Sequence, residues 1–269
     1  RGRGGGGRAG GGWGAGRGAG PAVAGGVAEL RAAGALPLVV DLDDGVPARL
    51  ASLAPRVIHL APPPRSGPVD TRTARLLRAL RRPAATFVYM STTGVYGDRG
   101  GARVDETSTP APSTERARLR VDAARRVRRR PWHAAVLRVP GIYGPGRLPL
   151  QRLELRTPAL TPGEDVLTNH IHADDLARIC VASLFRAAPG RVYNAVDDSC
   201  MALGDYLDLV ADRFGLARPP RLPREKLRQQ VTAMQYSFMS ESRQVDNRRL
   251  KRELRVRLLY PSVQHGVRP

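Results

Sequence analysis

Short apolar runs separated by amphipathic stretches set the tightest limit on what this chain can fold into. Pro37-Leu38-Val39-Val40-Asp41, Val57-Ile58-His59-Leu60-Ala61, Thr86-Phe87-Val88-Tyr89-Met90 and Ala134-Ala135-Val136-Leu137-Arg138-Val139 are each five or six residues long. Runs of that length and apolarity suit strands buried on both faces of a parallel sheet. Between them, Val23 to Ala33, Val46 to Leu53, Thr71 to Arg81 and Glu115 to Arg130 carry helical spacing, with Leu76, Leu77 and Leu80 as the buried face of the third. A helix over Ala173 to Arg186, a strand around Arg191 to Ala195 and a helix from Ala202 to Phe214 follow, before a mixed tail from Ala217. Strands alternating with helices imply βαβ units, hence an α/β, doubly wound parallel sheet. Ligands of such sheets bind at the carboxyl ends of the strands, so the residues just after each strand matter most.

Composition narrows the class further. The chain has 269 residues, enough for one large domain or one domain with a small lobe. No apolar run approaches the ~18–20 residues of a membrane span, and no secretory leader pattern opens the sequence. Cys180 and Cys200 are too few for a disulfide framework or a cysteine zinc site, and no His/Asp/Glu cluster has metal-ligand spacing. A reducing cytoplasm is the default compartment. The net charge of +20 invites a nucleic-acid partner, but Lys226 and Lys251 are the only lysines. Arginine rises together with Ala, Gly and Pro, as in a GC-rich coding sequence, and is scattered instead of forming a stripe with aromatics. These features weigh against nucleic acid. The densest run, Arg125-Arg126-Val127-Arg128-Arg129-Arg130, reads as a solvated helix end or as a phosphate-binding patch.

Four segments at strand ends carry the chemistry. Ser91-Thr92-Thr93-Gly94-Val95-Tyr96-Gly97-Asp98 sets three hydroxyls where a substrate would lie. Val139-Pro140-Gly141-Ile142-Tyr143-Gly144-Pro145-Gly146 forms turns and offers an aromatic cover. Asn169-His170-Ile171-His172-Ala173-Asp174-Asp175-Leu176 reads as a strand entering a helix capped by Asp174. Alternation sends His170 and His172 to one face, where a hydrogen-bonded structural role is the plain expectation for each. Tyr193-Asn194-Ala195-Val196-Asp197-Asp198 closes a further strand with polar groups.

In this order and spacing the four segments resemble the extended and atypical short-chain dehydrogenase/reductases, the family of NAD-dependent sugar epimerases and dehydratases. The resemblance runs from about Ala28 to Gly266 and looks nearest to the YeeZ-like bacterial subgroup. It implies a Rossmann-type dinucleotide-binding domain over 22–147 and 168–200, with a small substrate lobe from 148–167 and 201–269. Thr92 matches the hydroxyl that binds the substrate carbonyl or alcohol. The acid/base tyrosine and its lysine fall on Arg116 and Arg120. A guanidinium is not deprotonated in proteins, so these two cannot perform that proton transfer, though they can bind a ribose or an anion. Tyr96 is the alternative acid, or else it packs under the sheet end.

The resemblance also places Asp41 and Leu42 at the adenine ring, with a turn or cap role for Asp41 equally open. Ala61, Pro62 and Pro63 fall at the ribose and pyrophosphate, and Val139 and Pro140 beside the nicotinamide. Ser91, Thr93, Tyr143, Asn169, His172 and Arg243 are substrate candidates, with Arg147, Ser240 and Glu241 as further polar residues of the lobe.

The expected partners are NAD or NADP and a small, sugar-like molecule, in a chain compatible with a homodimer. The activity implied is that of an NAD(P)-dependent oxidoreductase or epimerase. With the Tyr/Lys pair replaced, the alternative is a non-catalytic dinucleotide-binding or sensing protein.

The front end departs from this pattern. Residues 1–21 are almost all Gly, Arg and Ala, and such a segment is expected to be disordered. Gly14-Ala15-Gly16-Arg17-Gly18-Ala19 fits G-x-G-x-x-G/A, but no apolar strand precedes it. The family's first strand and fingerprint are expected to be missing or altered, through a fragment, a shifted frame or a mis-set start.

Overall fold

Alternation along the apolar runs decides which side chains meet. Strands β1 (Arg56–His59), β2 (Thr86–Thr92), β3 (Ala134–Val139) and β4 (Val192–Asn194) pair in that order, all parallel, in a computed structural model. The structure describes residues 21–47, 50–53, 55–80, 86–130 and 133–269. The segment 1–20, with its Gly14–Ala19 pattern, lies outside the described residues, as does Arg81 at the end of the expected third helix.

One face of the sheet carries Phe87, Tyr89, Ala134 and Val136, packed against Leu76 and Leu77 of α1 (Thr71–Ala79) and Ala123 and Val127 of α2 (Glu115–Arg128). The opposite face carries Val88, Ala135, Leu137 and Val139 against Leu176, Ile179 and Cys180 of α3 (Ala173–Arg186). Fully burying each such Val, Leu or Phe stabilises by about 1.5–3 kcal/mol, so the two layers hold the sheet between them. This is the doubly wound architecture that the βαβ spacing predicts.

Local chemistry sets the helix starts. Asp70 caps α1, its carboxylate accepting from Thr73 N at 2.9 Å and Thr73 Oγ1 at 2.8 Å. Thr114 caps α2 through Ala117 N at 3.2 Å. The helix ends at Arg128, two residues short of the expected limit, with basic side chains in its last turn. At α3 the expected cap changes hands. Helix α3 begins at Ala173, so His172 is the N-cap residue and its Nδ1 accepts from Asp174 N at 3.2 Å. Asp174 stands in the first turn instead.

The front of the described chain differs from expectation. Pro21–Ala32 is helical, but Pro37–Asp41 is not a strand, and Leu38 and Val39 are exposed. The reason is pairing. A parallel strand needs a neighbour for its backbone groups, and among the described residues no strand lies beside this segment. The run instead enters a turn in which Asp41 Oδ1 accepts from Asp43 N at 2.8 Å, and Asp43 binds the Arg72 guanidinium of α1. Of the helix expected over Val46 to Leu53, only Leu50–Leu53 is formed among the described residues.

Beyond the main sheet, Gly141–Tyr143 pairs in parallel with Leu167–His172, which pairs antiparallel with Cys200–Ala202. Ala159–Leu160 pairs with Arg221–Leu222, and Arg103–Val104 with Gln244–Val245. These short ladders tie the later chain across the carboxyl end of the sheet. Gly97 sits at one such crossing with φ of 66°, and a Cβ there would lie 2.1 Å from the carbonyl oxygen of Ala111. Gly97→Ala is expected to destabilise the chain by about 2 kcal/mol, read as a lowered urea midpoint at unchanged slope. An unchanged midpoint would mean that the Ala111 loop yields freely. Among the described residues, no helix is long and apolar enough to cross a membrane.

Candidate functional site

The carboxyl ends of β2 and β3 open onto a cavity of about 330 Å³. Its lining joins Thr92, Thr93, Arg116 and Pro140 from the sheet side to Arg147, Asn169 and His170, with Glu241 and Arg243 from the late chain. Sequence-distant candidates therefore converge on one space. Thr92 ends β2 and caps the short turn Thr93–Tyr96, its Oγ1 accepting from Gly94 N at 3.1 Å. That bond uses a lone pair and leaves the hydroxyl proton free to donate into the cavity.

Arg116 lies near the start of α2, with its guanidinium carbon 5.0 Å from the Phe238 ring centroid. Arg147 is exposed at the other side. Neither arginine pairs with a carboxylate among the described residues. Arg243, by contrast, is committed. Its Nη1 donates to Gly97 O at 2.8 Å and to Glu241 Oε2 at 2.7 Å, while Nε is buried with no partner among the described residues. Asn169 is committed too. Its Nδ2 donates to Arg243 O at 2.9 Å and its Oδ1 accepts from Val245 N at 2.9 Å. Both amide ends are thus occupied, one on Arg243 and one on Val245, which fastens the Arg243–Val245 segment to the cavity wall.

Several sequence candidates face elsewhere. Tyr96 is fully buried, its hydroxyl 2.8 Å from both Asp105 O and Asn194 Oδ1, and burial pushes its pKa up. It packs under the sheet end and does not line the cavity. Arg120 also turns away. Its Nη1 donates to Met90 O at 2.6 Å and reaches Ala61 O and Tyr89 Oη at 3.4 and 3.3 Å, fastening β1 to β2 at their carboxyl ends. Tyr143 is buried in an apolar cluster, its hydroxyl donating to Ser262 O at 3.1 Å. His172 is spent as a helix cap and stacks on Tyr260 with centroids 3.7 Å apart. Ser91 points to the opposite face of the sheet from Thr92, as strand alternation requires.

The expected cofactor residues also divide. Pro140 lines the cavity, whereas the Val139 side chain is buried in the sheet core. Asp41 is a turn residue, and Leu42 offers its carbonyl to Arg75 Nη1 at 3.1 Å. The carbonyls of Pro62 and Pro63 lie 3.3 and 3.4 Å from Arg72 Nη1, so the segment after β1 is braced by α1.

His170, expected to be structural, is almost fully buried and also contributes to the cavity lining. Its ring tilts over Tyr206 at 4.2 Å, and its Nδ1 is buried with no partner among the described residues. Burial pushes its pKa down to about 4, as it does for His59 at the end of β1. Both folded pKa values lie below the usual unfolded value of about 6.5, so the native state prefers the neutral rings. Their stabilising contribution is complete above that unfolded pKa and lost as pH falls through about 4. His170→Gln is expected to flatten the stability profile over that interval by on the order of 2 kcal/mol, measured by urea unfolding at several pH values. An unaltered profile would show that the ring is solvated.

The fold is a doubly wound α/β architecture with a cavity at the carboxyl ends of its strands. The sequence profile of the NAD dependent epimerase/dehydratase family matches residues 71–195. A conserved protein of unknown function from Silicibacter pomeroyi is 36% identical over 90% of this chain and 84% of its own, with a TM-score of 0.78. The chain belongs to the NAD-dependent epimerase/dehydratase family. No curated protein sequence matches it. The fold is shared with UDP-glucuronic acid 4-epimerase from Bacillus cereus, solved with NAD, at 17% identity, 91% and 82% coverage and a TM-score of 0.72. It is also shared with RMD from Pseudomonas aeruginosa, complexed with NADPH, at 18% identity, 86% coverage of each chain and a TM-score of 0.65.

The residues present fit the nicotinamide end of such a cofactor. Thr92 and Thr93 bring hydroxyls, Pro140 lines the same space, and His170 Nδ1 is a buried polar atom with no partner among the described residues.

Proposed function

We propose that this protein is an NAD(P)-dependent oxidoreductase or epimerase acting on a small, anionic, sugar-like molecule. The observation that carries this reading is the free hydroxyl proton of Thr92 in a cavity flanked by two carboxylate-free arginines, Arg116 and Arg147. The dinucleotide, when bound, supplies or accepts the hydride. Thr92 would hold the reacting oxygen by donating to it, and Arg116 and Arg147 would orient the anionic end of the substrate. Pro140 and the Ala61–Pro63 segment would flank the cofactor. Residues 148–167 and 201–269 would form the lobe that closes over the substrate.

A second reading has its own support. Tyr96 is withheld from the cavity, and Arg116 stands where the family's acid/base tyrosine is expected. A protein that binds the dinucleotide without turning it over fits those facts. Titration with NADH and NADPH, followed by fluorescence, tests both readings. Saturable binding with a preference between the two supports a working dinucleotide site. No binding to either would overturn both.

A further inference from the structure

A larger cavity, about 610 Å³, lies on the other face of the sheet, between α2, β3 and the start of β4. Two polar groups at its floor have no partner among the described residues: Arg138 Nη1 and Ser91 Oγ. Both residues are more than nine-tenths buried, at 8% and 4% exposure. They are register partners on β2 and β3, so their side chains emerge side by side on adjacent strands about 4.8 Å apart. A buried guanidinium nitrogen and a hydroxyl without partners are costly to leave that way, and such groups normally mark an unseen ligand or water.

The surroundings select an anion. Arg125 and Arg128 of α2 line the cavity, and both are exposed. Glu106, the single carboxylate in the wall among the described residues, is already engaged. Its Oε1 accepts from Asn194 N at 2.9 Å and its other oxygen lies 3.5 Å from Arg249 Nε. Arg138 is held rigid with its guanidinium carbon 4.6 Å from the Tyr96 ring centroid. A fixed guanidinium beside a hydroxyl donor matches the tetrahedral oxygens of a phosphate. The volume exceeds what phosphate alone would fill and falls in the range of small-molecule sites, ~300–1,000 Å³.

We propose that this second cavity binds a phosphate monoester of a small molecule, its phosphate seated on Arg138 and Ser91 with Arg125 and Arg128 at the mouth. The site is separate from the cavity beneath Thr92 and does not depend on how that one is used. Of the two sequence-level readings of the basic run from Arg125, this adds ligand binding to its role as a helix end.

The test is calorimetry on the full chain with inorganic phosphate, glucose 6-phosphate and glucose. The expected result is saturable binding of both phosphates, tighter for glucose 6-phosphate, with one equivalent weakened or lost in the Ser91 and Arg138 variants, and none for glucose. Ser91→Ala is expected to weaken binding about 10-fold, the loss of one charge-assisted hydrogen bond. Arg138→Gln is expected to abolish it, while Arg213→Ala, an exposed arginine that lines neither cavity, leaves it unchanged. Ser91→Ala removes only a buried hydroxyl, so it decides the matter if Arg138→Gln does not fold. Undiminished affinity in Ser91→Ala would overturn the proposal. So would non-saturable binding that collapses with salt, the mark of a highly basic surface, or no binding at all, which would leave water as the occupant.

Discussion

Thr92→Ala is expected to lower turnover by about 100-fold or more while leaving NADH affinity within a few-fold of the parent chain. The asymmetry follows from where the hydroxyl acts. Thr92 Oγ1 accepts from Gly94 N with one lone pair, and its proton is left to donate to an oxygen in the cavity. A donor aimed at an oxygen that gains charge during reaction contributes to the transition state more than to binding. Loss of the methyl and hydroxyl leaves β2 and its backbone pairing with β3 in place, since Thr92 pairs with Val139 through main-chain groups. Thr92→Ser should recover most of the rate. The measurement is steady-state turnover with a substrate found by screening sugar-like anions, alongside NADH titration of each variant. Equal turnover in Thr92→Ala would remove this residue from the chemistry. A protein that binds NADH, and turns over no member of the screen, would favour the binding-only reading.

Asp175→Ala is expected to destabilise the chain by about 3–5 kcal/mol, among the largest single-residue effects in the fold. Asp175 is completely buried in α3. Its two carboxylate oxygens accept from Leu259 N and Tyr260 N, each at 2.8 Å, and Oδ1 also takes Arg178 Nη1 at 3.1 Å. Alanine would leave two backbone donors without their acceptor, while Arg178 Nη1 would keep only its bond to Arg257 O at 3.1 Å. In a domain this large, that loss corresponds to a melting temperature lower by roughly 10 °C. The consequence reaches the site, because the pinned Tyr260 stacks on His172, the cap of α3. Asp175→Asn keeps one acceptor oxygen and should lose about half as much. Thermal melts of the two variants check the order. A melt unchanged in Asp175→Ala would show that the late chain is held by its apolar contacts alone.

How far the sequence reached differs from element to element. The strands at Thr86 and Ala134 and the helices at Glu115 and Ala173 were legible, because buried parallel strands and amphipathic helices write their periods directly into residue order. The apolar run at Pro37 carried the same signal and is not a strand, because a strand needs a partner and composition does not supply one. Among the site residues, Thr92, Arg116, Pro140 and Arg243 do line one cavity. Tyr143 and His172 carried the right residue types, yet one packs in a core and the other caps a helix. The engagement of His170 had a faint signal, since strand alternation places it on the same face as His172. Which of the two meets the cavity depends on where the strand ends and α3 begins.

By itself, then, the order of residues determined the layered α/β class and the two opposed apolar faces, and it pointed to the strand ends as the expected place for a ligand. Those properties are local, set by alternation of two, periodicity near 3.6 and the turn chemistry between them. Only the tertiary structure decided which residue of Ser91-Thr92-Thr93 lines which cavity, that Arg120 fastens strand ends, and that Asn169 bonds Arg243. Each of these rests on side chains brought together from distant parts of the chain. Pairing of strands, and the hydrogen bonds their neighbours leave unsatisfied, fix those contacts, and no local pattern encodes them.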